Sequence, residues 1–384
     1  MAIGDEKWEN LPTYNEVVWG MYKFCIKNIE DINRYNYSFP KTTIEDALKY
    51  FRIDLYDIFL TIFMALMFTA IRHIFTKWIF KPIGKYFELT PGNQEKMPES
   101  AWKFLYYFLA WTAIVYIVQF KGSYALFQKP STVWDDWNLD SPLPFDFYVV
   151  YMIVCGFYVH SLYATIFEDV WRRDSSMMVA HHILTLILLA LSYSLRCHKI
   201  GLLVLIFHDI SDIQLEFTKL VVYFKIQNGK FIMAYEIVAN VMFCVFAVTW
   251  YISRLYWFPL KALYAASSIL MQRNIPLPFG FTMNVLLWIL LAMNIYWFWF
   301  ILGFIWRVVT GQMKEVDDTR EYDVIERNNQ QSDNATSVHE KNKILRNGIS
   351  NINDTLANKE ESNGTEILNG ENPHSDCHQT RVRR

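Results

Sequence analysis

Two groups of ionisable side chains interrupt otherwise apolar stretches of the sequence. One is the adjacent pair His181 and His182, and the other is the run from His208 to Lys219. Adjacent residues on a helix point about 100° apart, so two neighbouring histidines rarely serve the same packing contact. We therefore expect the pair to have a functional role. His160 stands alone in its apolar stretch, and we expect it to hydrogen-bond a neighbouring helix.

Three acids in the second run have the spacing of a single helix face. Asp209, Asp212 and Glu216 lie at i, i+3 and i+7, and His208 can meet Asp212 at i, i+4. Each ionisable group inside a membrane helix costs about 2.5–3.5 kcal/mol. Three acids facing lipid would cost about 8–10 kcal/mol, which is comparable with the stability of a whole domain. The acids must therefore face a polar interior.

Three kinds of chemistry use these residue types. A metal site could draw on His181, His208, Asp209 and Asp212, but only His208/Asp212 and Asp209/Asp212 have the usual helical ligand spacing, so we predict no metal. Proton or ion transport would use the same side chains. Acyl transfer would use a histidine as nucleophile or general base and a carboxylate to orient it. No Gly-x-Ser-x-Gly motif offers a competing nucleophile.

The elements that must position these residues are membrane helices. Of the 384 residues, 53% are apolar, 17% are aromatic and only 19% are charged. A bilayer core about 30 Å thick requires roughly 20 apolar residues in a helix. Seven stretches qualify, at about 55–75, 102–120, 146–167, 177–195, 200–224, 233–253 and 282–308. We predict an all-α polytopic membrane protein with about seven transmembrane helices.

The chain divides into four predicted regions. They are a luminal N-terminal region (1–54), a first transmembrane helix with a cytosolic loop (55–95), a six-helix domain that carries the candidate site (96–311), and a disordered cytosolic tail (312–384). Basic residues in the loop 76–101 and at the start of the tail favour a cytosolic C-terminus. Asn36 is then a glycosylation candidate on the luminal side, and 254–281 is predicted to be a luminal loop.

The net charge indicates what the chain does not bind. Lys and Arg number 36 against 38 Asp and Glu, whereas a general nucleic-acid binder has a basic excess. We therefore predict no nucleic-acid partner.

Longer motifs around the two polar groups resemble the ceramide synthases. The residues that carry the resemblance are Trp171-Arg172-Arg173-Asp174, His181-His182, Thr185, Ser192-Tyr193, Gly201, His208-Asp209-Ile210-Ser211-Asp212, Leu215-Glu216 and Lys219. They are similar to the longevity-assurance motif of the TRAM–LAG–CLN8 (TLC) domain. Similar stretches at 96–103, 254–261 and 320–323 extend the resemblance over roughly residues 50–325.

The resemblance implies an activity. It is the N-acylation of sphinganine or a related sphingoid base by a fatty acyl-CoA, which gives dihydroceramide or ceramide and free CoA. Only about 25 residues separate the first two predicted spans, too few for the homeobox-like segment of many members. The resemblance therefore favours the subtype without that segment, whose preferred donor is stearoyl-CoA. A non-catalytic lipid sensor or a transporter of the TLC type is the alternative.

The resemblance also implies a setting and a set of residue roles. It implies a multi-pass protein of the endoplasmic reticulum membrane, homodimers or heterodimers with other ceramide synthases, and no cofactor, since acyl-CoA is a substrate. His181, with His182 beside it, is the predicted nucleophile or base, and Asp209 or Asp212 would orient the imidazole. The predicted substrate-binding residues are His208, Ser211, Glu216, Arg172 and Arg173. For the two arginines, CoA phosphate contacts and ordinary membrane anchoring both stay open.

Overall fold

The structure, a computed structural model, describes residues 9–34, 41–121 and 124–310. Two helices, α1 (Tyr14–Arg34) and α2 (Lys41–Tyr50), precede seven longer ones. The longer helices are α3 (Leu55–Tyr86), α4 (Pro91–Lys121), α5 (Phe145–Phe167), α6 (Ser175–Ser194), α7 (His198–Tyr223), α8 (Met233–Gln272) and α9 (Gly280–Val309). Asn36 and the predicted tail from 312 lie outside the described residues.

Two short elements lie between the long helices. A 3-10 helix, Pro130–Trp134, follows α4. An antiparallel pair, β1 (Ile226–Gln227) and β2 (Lys230–Phe231), joins α7 to α8. Its turn residues Asn228 and Gly229 both have positive φ, and Asn-Gly is the pair that such a tight hairpin turn favours.

Six of the long helices in the described ranges, namely α3, α4, α5, α6, α8 and α9, are long and apolar enough to cross a bilayer. The remaining one, α7, has 26 residues, but the ionisable residues of the 208–219 run interrupt its apolar sequence. Each of the seven predicted spans thus lies in a helix. The prediction of an all-α polytopic membrane protein is confirmed.

Two predicted loops are largely helical, and those boundaries were wrong. α3 continues beyond residue 75 through π-type turns (Thr76–Phe80) and ends at Tyr86. α8 continues through π-type turns (Tyr251–Leu263) and ends at Gln272. The sequence criterion ended each helix where its apolar run ended. A helix can continue past that point when protein rather than lipid covers it, as in the second half of α8.

The two halves of α8 have different surroundings. In the first half, Ile237, Val241 and Val248 are each more than half exposed, as expected for side chains that face lipid. In the second half, Phe258 and Leu263 are fully buried, and most residues from 258 to 270 are buried as well. The second half packs against α1 and the 3-10 helix.

α6 and α7 form a helical hairpin, and hydrogen bonds stabilise the turn between them. The Tyr151 hydroxyl of α5 lies 2.6 Å from Ser192 Oγ and donates to the His198 carbonyl at 3.2 Å. Ser192 Oγ donates to the Cys197 carbonyl at 3.0 Å. Gly201 is required here, because a Cβ at this position would lie 2.1 Å from the Tyr151 hydroxyl oxygen. The turn therefore fixes how α6 and α7 run beside each other.

An ion network joins α3, α4 and the segment between α5 and α6, at the end of α6 opposite the α6–α7 turn. Arg72 of α3 lies 2.5 Å from Asp169, and Lys103 of α4 bridges Asp169 at 2.8 Å and Glu99 at 2.7 Å. The Arg172 guanidinium donates hydrogen bonds to both carboxylate oxygens of Glu99, at 2.9 and 3.3 Å. Burial by itself would raise the pKa of the Asp169 carboxyl, but Lys103 and Arg72 outweigh it and hold that pKa below its usual value. We call these five side chains the ion network.

Candidate active site

The α6–α7 hairpin brings the two polar groups of the sequence to one level of the bundle. His181 and His182 lie about 20 Å before the turn, by the rise of an α-helix. Asp209 and Asp212 lie about 20 Å after it on the same basis. His181 lies within electrostatic range of His208 and Arg254. Tyr158, whose ring lies near that of His182, is within range of Asp209 and Asp212, so the two groups are linked through these side chains.

The histidine pair is enclosed by aromatic rings. The His181 ring centroid lies 5.8 Å from that of His182 and 5.4 Å from that of Trp297 on α9. The His182 ring lies 5.9 Å from Tyr158 on α5. Nδ1 of both histidines is buried and has no hydrogen-bond partner in the part of the chain that the structure describes. Each ring therefore keeps a nitrogen that no other group is seen to occupy.

The three acids of α7 share a face, in agreement with their spacing. Tyr107 of α4 lies within electrostatic range of Asp209, Asp212 and Glu216, and α4 packs along α7. Glu216 pairs with Lys219 at 2.8 Å. Asp209 is only 2% exposed, and its Oδ1 has no hydrogen-bond partner among the described residues. Asp209 is thus a buried acid that is not fully hydrogen-bonded.

Asp212 has a strong partner that the sequence did not reveal. Arg254 of α8 is 3% exposed, and its Nη2 lies 2.5 Å from Asp212 Oδ1. Its Nε donates to Ser211 Oγ at 2.7 Å, and Nη2 also donates to the His208 carbonyl at 2.8 Å. Sequence reasoning missed Arg254 because it placed 254–281 in a loop. The available signal was an arginine inside a continuous membrane helix, which is by default a functional candidate.

His208 is fully hydrogen-bonded, and its predicted contact with Asp212 is not formed. Its Nδ1 lies 2.8 Å from the Val204 carbonyl, and its Nε2 lies 3.0 Å from Asn294 Nδ2 on α9. Since a carbonyl accepts and an amide nitrogen donates, Nδ1 carries the proton and Nε2 accepts. Asp212 bonds to Arg254 instead. Both ring nitrogens of His208 are therefore occupied, unlike Nδ1 of His181 and of His182.

The two arginines before α6 have different surroundings. Arg172 is bound to Glu99 in the ion network, so its guanidinium already holds a carboxylate. Arg173 is exposed, and its guanidinium carbon lies 6.0 Å from the Phe300 ring centroid. Of the two, Arg173 is the more accessible to a phosphate group.

An apolar groove of about 600 Å³ lies between α6 and α9. It is lined by Met177, Ala180, Ile183, Leu184, Ile187, Ile289, Ala292, Met293 and Tyr296. Ile183, Ile187 and Ile289 are each more than two-fifths exposed, so the groove faces the surrounding lipid. Ala180 and Tyr296 directly precede His181 and Trp297 in the sequence. The volume is within the range of about 300–1,000 Å³ typical of small-ligand sites.

The described residues offer little for a metal ion. Within the described ranges, no three His, Cys, Asp or Glu side chains lie close enough together to bind one.

Comparisons with known proteins identify the family. A family model described as the TLC domain matches residues 96–303. Human Ceramide synthase 1 is 43% identical over 285 residues, which cover 74% of this chain and 79% of that protein. The Mus musculus Ceramide synthase 1 is 43% identical over 270 residues (70% and 77%), and Ceramide synthase LOH2 of Arabidopsis thaliana is 31% identical over 284 residues (71% and 90%).

The fold and the domain match together define a membrane protein of the TLC class. Within that class the chain belongs to the ceramide synthases, as its motifs indicated.

Proposed function

We propose that this protein N-acylates sphinganine or a related sphingoid base with a long-chain, stearoyl-type acyl-CoA, and that His181 receives the acyl group. As a ceramide synthase, the protein is an acyltransferase that forms ceramides. One observation carries the assignment of the site. His181 and His182 each have a buried ring nitrogen without a partner among the described residues, and His181 and its neighbour Trp297 directly follow two residues that line the apolar groove, Ala180 and Tyr296.

The proposed reaction has two steps. His181 attacks the thioester carbonyl carbon, the C–S bond breaks, and CoA leaves as the thiolate, which gives an acyl-imidazole. The amine of the sphingoid base then attacks the acyl carbon and the bond from that carbon to the imidazole breaks. The proton that the new amide nitrogen loses passes to the CoA thiolate, which gives free CoA. An ordinary amine is mostly protonated near neutral pH, so a base must first take its proton. His182 is the neighbouring candidate for that role.

We assign different roles to Asp209 and Asp212. Asp212 is bound to Arg254, so its charge is already balanced. Asp209 keeps an oxygen without a partner in the described part of the chain. We therefore assign to Asp209 the stabilisation of the positive imidazole that forms during transfer, and to Asp212 a supporting role on the same face.

The lipid chains and the CoA group need different surroundings. The groove between α6 and α9 is apolar and open to lipid, so a long hydrocarbon chain can enter it directly from the bilayer. Arg173 is exposed near the start of α6 and suits the phosphates of CoA. Of the three residues predicted to bind the base, Glu216 keeps a buried oxygen without a partner in the described ranges, and we assign to it the amine and hydroxyls of the base. The polar side-chain atoms of His208 and Ser211 are engaged within the bundle, so we assign them to holding this face of α7 in place.

We also propose the cellular setting. The protein is a multi-pass membrane protein, and we place it in the endoplasmic reticulum with a luminal N-terminal region and a cytosolic tail. It acts as a homodimer or as a heterodimer with other ceramide synthases. The reaction as written needs no cofactor, because the acyl-CoA supplies the activated acyl group.

The test is to incubate the purified protein with stearoyl-CoA alone and to measure intact mass. We expect one added stearoyl group that maps to His181 and disappears when sphinganine is added. Palmitoyl-CoA at equal concentration should give less adduct, and His181→Ala should give none. Normal ceramide formation without any adduct would make the histidines general bases in a single step. Neither adduct nor ceramide would favour the lipid-sensor or transporter alternative.

A further inference from the structure

Arg254 connects one turn of α7 to two other helices, and the proposed chemistry does not use it. Its guanidinium donates to Ser211 Oγ, to the His208 carbonyl and to Asp212 Oδ1. Nη1 reaches Asn294 Oδ1 of α9 at 3.4 Å. These four acceptors occupy nearly all of the donor capacity of the side chain, which is the pattern of a structural clamp.

The clamp lies in surroundings where a lone charge would be costly. Arg254 is 3% exposed, and the face of its guanidinium lies 3.9 Å from the Trp250 ring centroid. The ring face and the Asp212 carboxylate stabilise the cation. Arg254 and Asp212 therefore depend on each other. Removal of Asp212 leaves a buried cation without its partner, and removal of Arg254 leaves a partly buried carboxylate without its partner.

A second set of contacts leads from the clamp to the histidines. Asn294 accepts from Arg254 with its oxygen and donates to His208 Nε2 with its nitrogen. One turn further along α9, Trp297 contacts the His181 ring. The orientation of α9 against α7 thus also determines where the Trp297 ring meets His181.

We propose that Arg254 is a positioning residue for the acyl transfer. It acts through Asp212 and Asn294 to hold the 208–212 turn, and with it Asp209, in register with the histidine pair. This inference rests on the proposed function. Arg254 itself touches no reacting atom.

The branched guanidinium group of Arg254 is needed to reach all four acceptors at once. A lysine at 254 would keep the charge but has a single nitrogen, which cannot reach acceptors on Ser211, His208, Asp212 and Asn294 together. Arg254→Lys should therefore keep the ion pair with Asp212 and lose the register. Misplacement of reacting groups by about 1 Å can lower a rate about 100-fold.

The test compares purified wild type with Arg254→Lys in a ceramide-forming assay. We expect kcat to fall about tenfold to 100-fold, with the KM of both substrates and the melting temperature in detergent nearly unchanged. Arg273→Lys is the matched control, because Arg273 lies just beyond α8 in an exposed pair with Asp135 at 2.7 Å. The control should retain the wild-type kcat.

A double variant separates positioning from charge balance. Arg254→Met with Asp212→Asn removes both charges, so it should regain the melting temperature that Arg254→Met alone loses, while kcat stays low. A wild-type kcat in Arg254→Lys, or in the double variant, overturns the inference. Wild-type protein that forms no ceramide overturns the proposed function first, so the two failures are distinguishable.

If Arg254→Lys does not fold, Ser211→Ala tests the same inference. Ser211→Ala removes one acceptor of the clamp and no charge. We expect kcat to fall about fivefold, the equivalent of one lost hydrogen bond, with KM unchanged. An unchanged kcat overturns the inference, and so does a change confined to KM, because that would assign Ser211 to substrate binding.

Discussion

The ion network and the candidate site both bury ionisable groups, but they treat them in opposite ways. In the network, Arg72, Lys103 and Arg172 are each matched to a carboxylate. In the site, Nδ1 of each adjacent histidine and Oδ1 of Asp209 are buried without a partner among the described residues. An unsatisfied buried group costs about 1–3 kcal/mol. Ionisable residues in a membrane helix therefore do not mark a reactive site by themselves, whereas unsatisfied ones are candidates for one.

The histidines repeat the same contrast. His160 has both ring nitrogens engaged, with Nδ1 2.9 Å from Thr69 Oγ1 and Nε2 accepting from Trp102 Nε1 at 3.2 Å. The prediction that this lone histidine hydrogen-bonds neighbouring helices is confirmed. His160 and His208 thus have both ring nitrogens hydrogen-bonded, whereas His181 and His182, to which we assign the chemistry, each keep Nδ1 without a partner among the described residues.

The largest expected effect comes from His181→Ala. It should lower the rate of ceramide formation by a factor of about 10²–10⁴, the usual contribution of a catalytic histidine. The melting temperature in detergent should hold, because Nδ1 of His181 has no hydrogen bond to lose within the described ranges. The assay measures turnover of the purified variant and its thermal unfolding side by side.

His160→Ala is the matched control for that variant. It deprives Thr69 and Trp102 of a partner, so it should cost about 1–3 kcal/mol of stability while turnover per folded molecule persists. A loss of stability in His181→Ala as large as that in His160→Ala would break the comparison.

The next effect concerns stability alone. Asp169→Asn should cost about 3–5 kcal/mol, because it leaves Arg72 and Lys103 without a shared buried carboxylate. The lowered pKa of Asp169 means that its stabilisation is present above the usual aspartate pKa and is lost as pH falls through the lowered value. Melting temperatures of wild type should therefore drop in acid, and those of the variant should drop less. Equal acid sensitivity in both would contradict the prediction.

A smaller effect separates the two aspartates of α7. Asp209→Asn should lower kcat about 100-fold, because an amide cannot balance a positive imidazole, and should leave stability nearly intact. Asp212→Asn should lower stability more, because Arg254 loses its anionic partner. Kinetics and thermal unfolding of both variants test this division, and the reverse pattern would exchange the assigned roles.

The smallest effect is expected in the groove. Ile183→Trp adds bulk to its lining and should raise the KM of a lipid substrate about threefold to tenfold with kcat unchanged, a change equivalent to about 1 kcal/mol. Ile237→Trp on α8 is the control, because Ile237 is also exposed but does not line the groove. If both variants raise KM equally, the groove is not the binding site for that substrate.

The local part of the site could be predicted from the sequence. Asp209, Asp212 and Glu216 lie on one helix, and the helical repeat alone determines that they share a face. The adjacent histidines were conspicuous for a similar reason, since they interrupt a run of apolar residues. The family followed from long motifs in the same stretches, and the comparisons confirmed it.

The partners from distant helices could not be predicted in this way. Arg254 and Asn294 reach His208 from positions 46 and 86 residues away in the chain. No periodicity within one helix reports which side chain of another helix will meet it. The extent of α8 was missed because the apolar-length criterion assumes lipid on every side, whereas protein covers its second half.

The divided surroundings of α8 have a consequence for the membrane itself. The lipid-exposed stretch runs from Met233 to about Tyr251, which is about 28 Å at the rise of an α-helix and close to the thickness of a bilayer core. This stretch ends one turn before Arg254. A bilayer that is thicker or thinner than the stretch creates hydrophobic mismatch at that point. We therefore expect the rate of ceramide formation by the wild type to vary with the acyl-chain length of the lipids around it.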